Sequence, residues 1–358
     1  MKILSKKGTG VISSIVLATT IVLGITACND SSTSNSTKQD IMGAGSSFIY
    51  PAMSKWTNEY YNLNQTKVNY QPIGSGGGIR QIYSRTVSFA ASDKPLSTKE
   101  LKQHKLIQFP AIVGGIVPVV NIKGIKANQL ILSGKVLADI YLGKITYWND
   151  PAIQILNPSI QLPHSMILSI HRADGSGTTY NFANYLAKVS PTWKNNVGVN
   201  TTLKWPGNGV GAKGNAGVAA QVQNLPNSIG YVEYAYAHEG GLTTTKLINK
   251  AGKAVAPSLS TFKAAAANAK WSPKQDYQLI LTNQPGANSW PINASTFILL
   301  PTDNTKIQNQ AILKFFNWTY TNNIALNITK STDYVSIPQS VVKNIESYWK
   351  EKLKYSFK

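Results

Sequence analysis

One stretch concentrates groups that can act together: His171-Arg172-Ala173-Asp174-Gly175-Ser176-Gly177-Thr178-Thr179-Tyr180-Asn181-Phe182. Arg172 offers a fixed cation with a planar fork of donors, and Ser176, Thr178 and Thr179 add hydroxyls. Gly175 and Gly177 let a ligand approach the backbone closely. A strand-like run, Met166–Ile170, comes before, and Phe182, Tyr185, Leu186 and Val189 follow at helical spacing. The polar residues therefore fall where a strand gives way to a helix. The first N–H groups of a helix have no intrahelical partner, and the helix dipole adds partial positive charge there. Cation, hydroxyls and free N–H groups together suit a small oxyanion.

The same kind of junction recurs. Ile41-Met42-Gly43-Ala44-Gly45-Ser46-Ser47-Phe48 runs from a short apolar start through glycines and hydroxyls towards Met53, Trp56 and Tyr60 at helical spacing. Val68-Asn69-Tyr70 reads as a strand, Ile73-Gly74-Ser75-Gly76-Gly77-Gly78 as a loop, and Ile79, Ile82 and Tyr83 as the next helix. A single Gly-Ser junction is usually only a turn. Three hydroxyl-bearing strand-to-helix junctions argue for convergence on one ligand. A fourth candidate, Asp93, ends the strand-like run from Val87, just before a capping box at Ser97 and Glu100. No Walker pattern is present, so nucleotide binding is not implied.

The elements that must hold these groups alternate between strand and helix, which predicts an α/β fold with mainly parallel sheets. Phe109 to Val120 reads as a buried strand crossing between domains, and Ser295–Leu300 as the return crossing. Leu130 to Tyr141 patterns as an amphipathic helix, and Trp205 to Asn215 is a glycine-rich lead into another. Ser228–Glu233 reads as a strand; helices from Ile312 to Tyr320 and from Val341 to Leu353 close the chain. A chain of 358 residues is long enough for two domains, each with its own core.

The formal charge is +20, but the lysines are scattered singly, without a dense basic run interleaved with aromatics. They read as a solvated surface rather than a nucleic-acid site. Lys2, Lys6 and Lys7 precede an apolar stretch from Val11 to Ile25, followed by Ile25-Thr26-Ala27-Cys28. That is the layout of an export signal, too short and too polar for a spanning helix. Residues 29–40 carry no apolar side chain and read as a flexible tether. A phosphatase or other hydrolase is the competing class, but His104, His164, His171 and His238 form no ligand-spaced motif and acids are sparse. Ser176 also lacks a Gly-x-Ser-x-Gly elbow. No catalytic residue, metal or cofactor is expected. A third class is an adhesin or signalling binder that uses the basic surface to hold polyanions.

Gly43–Phe48, Ala91-Ser92-Asp93 and Arg172–Thr178 resemble the PstS family, the phosphate-binding proteins of bacterial high-affinity phosphate ABC transporters. Asp139–Ile145, Ile229–Tyr234 and Leu313-Lys314-Phe315-Phe316 extend the resemblance from Gly43 to about Trp349. It implies a type II periplasmic-binding-protein fold, with two lobes closing about a hinge on buried phosphate. Lobe I would be 41–112 plus 288–358, and lobe II 113–287. The implied phosphate ligands are Ser47, the Phe48 N–H, Ser75, Asp93, Arg172, Ser176, Gly177 and Thr178, with Asp174 pairing Arg172. Ile25–Cys28 resembles a lipobox, which implies a signal peptide over 1–27, lipidation of Cys28, a tether over 28–40 and a membrane-anchored lipoprotein. The implied partners are phosphate and the transporter's permease subunits, bound by a monomer. Ile49-Tyr50-Pro51, Gly76 and His171 depart from the family pattern, and His171 leaves the local charge open.

Overall fold

The computed structural model describes residues 40–207 and 209–355; the export segment, Cys28 and nearly all of the tether lie outside them. The first elements are β1 (Ile41–Gly45), α1 (Tyr50–Asn64), β2 (Val68–Gln71), α2 (Ser75–Tyr83), β3 (Phe89–Ser92) and α3 (Thr98–Gln103). α1 buries Met53, Trp56 and Tyr60, its helical stripe, and carries Pro51 in the first turn, where a missing N–H costs nothing. α3 starts on the expected capping box: the Glu100 N–H donates to Ser97 Oγ and the Ser97 N–H to Glu100 Oε2.

β4 (Leu106–Asn121) is 16 residues long and buried up to its last residue, as its unbroken apolar run requires. Its Gly115 is forced by packing, because a Cβ there would meet the Phe262 ring at 2.2 Å. β5 (Ile131–Leu132) follows, then α4 (Gly134–Tyr141) and α5 (Pro151–Gln154). The helix expected from Leu130 starts only after Ser133, which caps it by accepting from the Val136 N–H. The residues before it pair with a neighbouring strand instead. β6 (Leu168–Arg172), α6 (Gly177–Val189), α7 (Pro191–Asn196), β7 (Gly209–Ala212), α8 (Gly214–Asn224) and β8 (Ser228–Glu233) come next. Then come α9 (Tyr234–Glu239), β9 (Thr243–Thr244), β10 (Lys246–Ile248), β11 (Ala254–Val255) and α10 (Leu259–Ala266). β12 (Asn293–Pro301), α11 (Lys306–Thr321), α12 (Asn323–Ser331), β13 (Val335–Ser336) and α13 (Gln339–Leu353) finish the chain.

Ten strands form one sheet in the order β2-β1-β3-β12-β4-β8-β6-β7, with β9 and β13 also paired to β4. β10 pairs with β5 and β11 in a separate three-stranded sheet. β1 pairs in parallel with β2 and β3, and β6 with β7 and β8. The antiparallel pairs in the large sheet all involve the crossing strands β4 and β12. β4 carries the connection: its first part pairs with β12 as far as Gly115, and Ile116–Asn121 pairs with β8. Buried apolar side chains follow the same path, forming one large cluster that runs through β4 into both ends of the sheet. A small second cluster, including Ile82, Leu96 and Leu299, lies under α2 and α3.

Candidate functional site

The strand-to-helix junctions meet. A Cβ on Gly177, the first residue of α6, would stand 2.4 Å from Ser75 Oγ and 2.6 Å from Asp93 Oδ2. The Gly76 N–H donates to the Gly175 carbonyl at 2.8 Å. The helix starts on the β1–β3 side of the sheet and on the β6–β7 side are therefore in direct contact. Ser176 caps α6 by accepting from the Thr179 N–H at 2.9 Å. Ser47, Ser75, Asp93, Arg172, Ser176 and Thr178 are all buried.

Asp93 is the centre of this cluster. Its Oδ2 accepts from Ser46 Oγ at 2.7 Å and Ser75 Oγ at 3.5 Å, and its Oδ1 from Thr296 Oγ1 at 2.7 Å. Asn181 of α6 donates to its carbonyl at 2.7 Å. Burial pushes its carboxyl up to about 6, against the hydrogen bonds from Thr296 and Ser46 and the charge of Arg172, which favour the ionised form. A buried acceptor this close to neutrality suits a ligand that brings a proton.

Arg172 ends β6 with a side chain only 1% exposed, and donates Nε and one terminal nitrogen to the two oxygens of Asp174 at 2.7 and 2.6 Å. Its other terminal nitrogen donates to Thr178 Oγ1 at 3.3 Å. Burial raises the Asp174 carboxyl, but hydrogen bonds and charge from Arg172 outweigh that and hold it below the usual carboxylate range. The Gly214 N–H, opening α8, also donates to Asp174 at 3.0 Å. His171 is no second cation: its ring stacks on Trp205 at 4.7 Å, and burial pushes it below its ordinary 6.5. It is neutral at neutral pH.

In similarity to known proteins, a PBP superfamily domain matches residues 30–323. The chain is 50% identical over 315 residues to the phosphate-binding protein PstS of Xylella fastidiosa (strain Temecula1), covering 88% of this chain and 86% of that one. It is 51% identical over 316 residues to the PstS of Haemophilus influenzae, covering 88% and 93%. The chain belongs to the PstS family. Its fold is shared with a solved periplasmic phosphate-binding protein bound with phosphate, at a TM-score of 0.70, 20% identity, and 86% and 93% coverage. It is the type II periplasmic-binding-protein fold.

The structure brings the eight residues marked by the PstS resemblance to this cluster. Ser47 Oγ accepts from the Asn215 N–H and Nδ2, at 3.1 and 3.0 Å, and the Phe48 N–H donates to Ser46 Oγ at 2.9 Å. Three neighbours complete the cluster: Ser46 and Thr296 on Asp93, and Asn215, whose Nδ2 also reaches Thr178 Oγ1; of these only Thr296 carries no warning in the sequence. Asn215 sits at the end of the glycine-rich lead, so a fourth strand-to-helix junction was legible there. Three tyrosines fix the first loop: Tyr70 donates to the Ser46 carbonyl, Tyr236 to that of Ser47 and Tyr334 to that of Phe48.

Proposed function

We propose that this chain is an extracytoplasmic receptor that binds inorganic phosphate in the cleft between its helix starts and delivers it to an ABC importer. The observation that carries the reading is the buried Asp93 carboxylate among helix N-termini and hydroxyls. Dibasic phosphate keeps one proton to donate to Asp93, whereas sulfate keeps none and would meet an unpaired negative charge. Leaving such a group unsatisfied costs about 1–3 kcal/mol, more when charged. The Ser47, Ser75, Ser176 and Thr178 hydroxyls, the Phe48 and Gly177 N–H groups and Arg172 would hold the anion's other oxygens. Asp174 offsets Arg172, so neutral dipoles at the helix starts would supply most of the hold.

Lobes of 41–112 plus 288–358 and of 113–287 would move about β4 and β12. The receptor would be a monomer that works with permease subunits, is tethered to the membrane through lipidated Cys28, and needs neither nucleic acid nor cofactor. Its PstS relatives make binding without turnover the natural reading. Isothermal titration calorimetry of residues 38–358 with phosphate and then sulfate tests it. Tight one-to-one phosphate binding with sulfate silent is expected. Binding of both anions would broaden the reading to an oxyanion receptor, and a folded, ligand-stripped sample silent to both would refute it.

A further inference from the structure

A groove of about 570 Å³ opens beside β13, lined from α10, α12, β13 and the start of α13. Both α10 and α12 pack on β13, so the groove lies along the strand that joins β4 at Ile112 and Val113. Its apolar lining includes Ala266, Trp271, Leu326 and Ile337. Two cations line it as well, Lys263 of α10 and Lys330 of α12, and no carboxylate does. Neither lysine forms an ion pair among the described residues. The volume falls in the range of small-molecule sites, which are mostly apolar with a few placed polar groups.

We propose that this groove is a second ligand site, for a small organic monocarboxylate with an apolar tail. The tail would lie against Ala266, Trp271 and Leu326, and the carboxylate would meet Lys263 and Lys330. A bare inorganic anion would leave the apolar lining in water, and a neutral apolar ligand would forgo the attraction of both exposed cations. The site stands apart from the phosphate cleft, although Tyr334 borders both: it is among the residues around the groove, and its hydroxyl donates to the Phe48 carbonyl and to Glu233.

Calorimetric titration of the mature chain with octanoate, and separately with octanol, tests the proposal. Saturable one-to-one octanoate binding is expected, weakened at least tenfold in K263Q/K330Q, blocked in A266W, and at least tenfold tighter than octanol binding. Both lysines are exposed, so the double variant keeps its fold, which a matching melting curve checks. Absence of saturable binding, equal affinity for octanol, or unchanged octanoate affinity in both variants would overturn it. A phosphate titration on the same samples separates the two sites, because failure of either leaves the other result standing.

Discussion

Replacing Asp93 by Asn keeps the side chain's shape and deletes its charge. The native carboxylate already takes three hydroxyl donors, at 2.7, 2.7 and 3.5 Å, and hydroxyls can rotate to satisfy an amide. What the variant loses is the acceptor for phosphate's proton. A hydrogen bond to a charged group is worth about 1.5–3 kcal/mol, roughly ten- to a hundredfold in affinity. Sulfate, relieved of a like charge, should gain by a similar factor, so the phosphate-to-sulfate ratio should narrow by about a hundredfold or more. Paired titrations at pH 8, where Asp93 is ionised, measure it, and an unchanged ratio refutes the role. A second readout tests the burial behind it. Because the folded carboxyl is raised from its ordinary 3.8 to about 6, its stabilising contribution is complete below 3.8 and lost as pH rises through about 6. That rise corresponds to about 3 kcal/mol. Ligand-free wild type should therefore lose most of that amount relative to Asp93→Asn between pH 4 and pH 7, by urea denaturation. A difference that stays flat over that range would refute the burial argument.

Gly177→Ala puts a methyl group into Ser75 and Asp93, so phosphate affinity should fall by at least tenfold; calorimetry with wild-type affinity would contradict the close contact. Asp174→Ala leaves the buried Arg172 guanidinium without its partner and should cost about 3–5 kcal/mol of stability by chemical denaturation. Asn215→Ala removes donors to Ser47 and Thr178 and the acceptor of the Glu233 N–H. It should lower stability by about 1–3 kcal/mol and weaken phosphate binding without altering its salt dependence. Labelled palmitate should be incorporated into the wild type and not into Cys28→Ser; equal labelling of the two would exclude a lipid anchor at that residue.

The parts of the site that could be read from sequence are those written contiguously: hydroxyls and glycines between an apolar strand and a helical stripe, and Arg172 two residues from Asp174. Thr296 could not be found that way, because it lies in a run that reads only as buried strand. Its hydroxyl reaches Asp93 through the antiparallel pairing of β12 with β3, a matter of topology. The register shift between Thr296 and Phe297 sits at the same place, and no local pattern announces it. His171 and Arg172 are neighbours in sequence but alternate across a strand, so one stacks on Trp205 while the other meets Asp174. Leu130, Ile131 and Leu132 carry the apolar residues of a helix stripe, yet Ile131–Leu132 go into an edge strand because β10 offers a partner. Short apolar runs are ambiguous in this way until tertiary pairing decides.

The cleft holds one guanidinium against two carboxylates, Asp93 and Asp174, while the whole chain carries a surplus of 20 positive charges. Contacts among these buried groups lie well within the roughly 8–10 Å over which physiological salt screens, whereas the surface charges act beyond it. Ionic strength would then act as a throttle on capture, slowing the arrival of a dianion drawn in by the basic exterior. Retention, set by dipoles at contact distance, would stay the same in dilute medium and in brine.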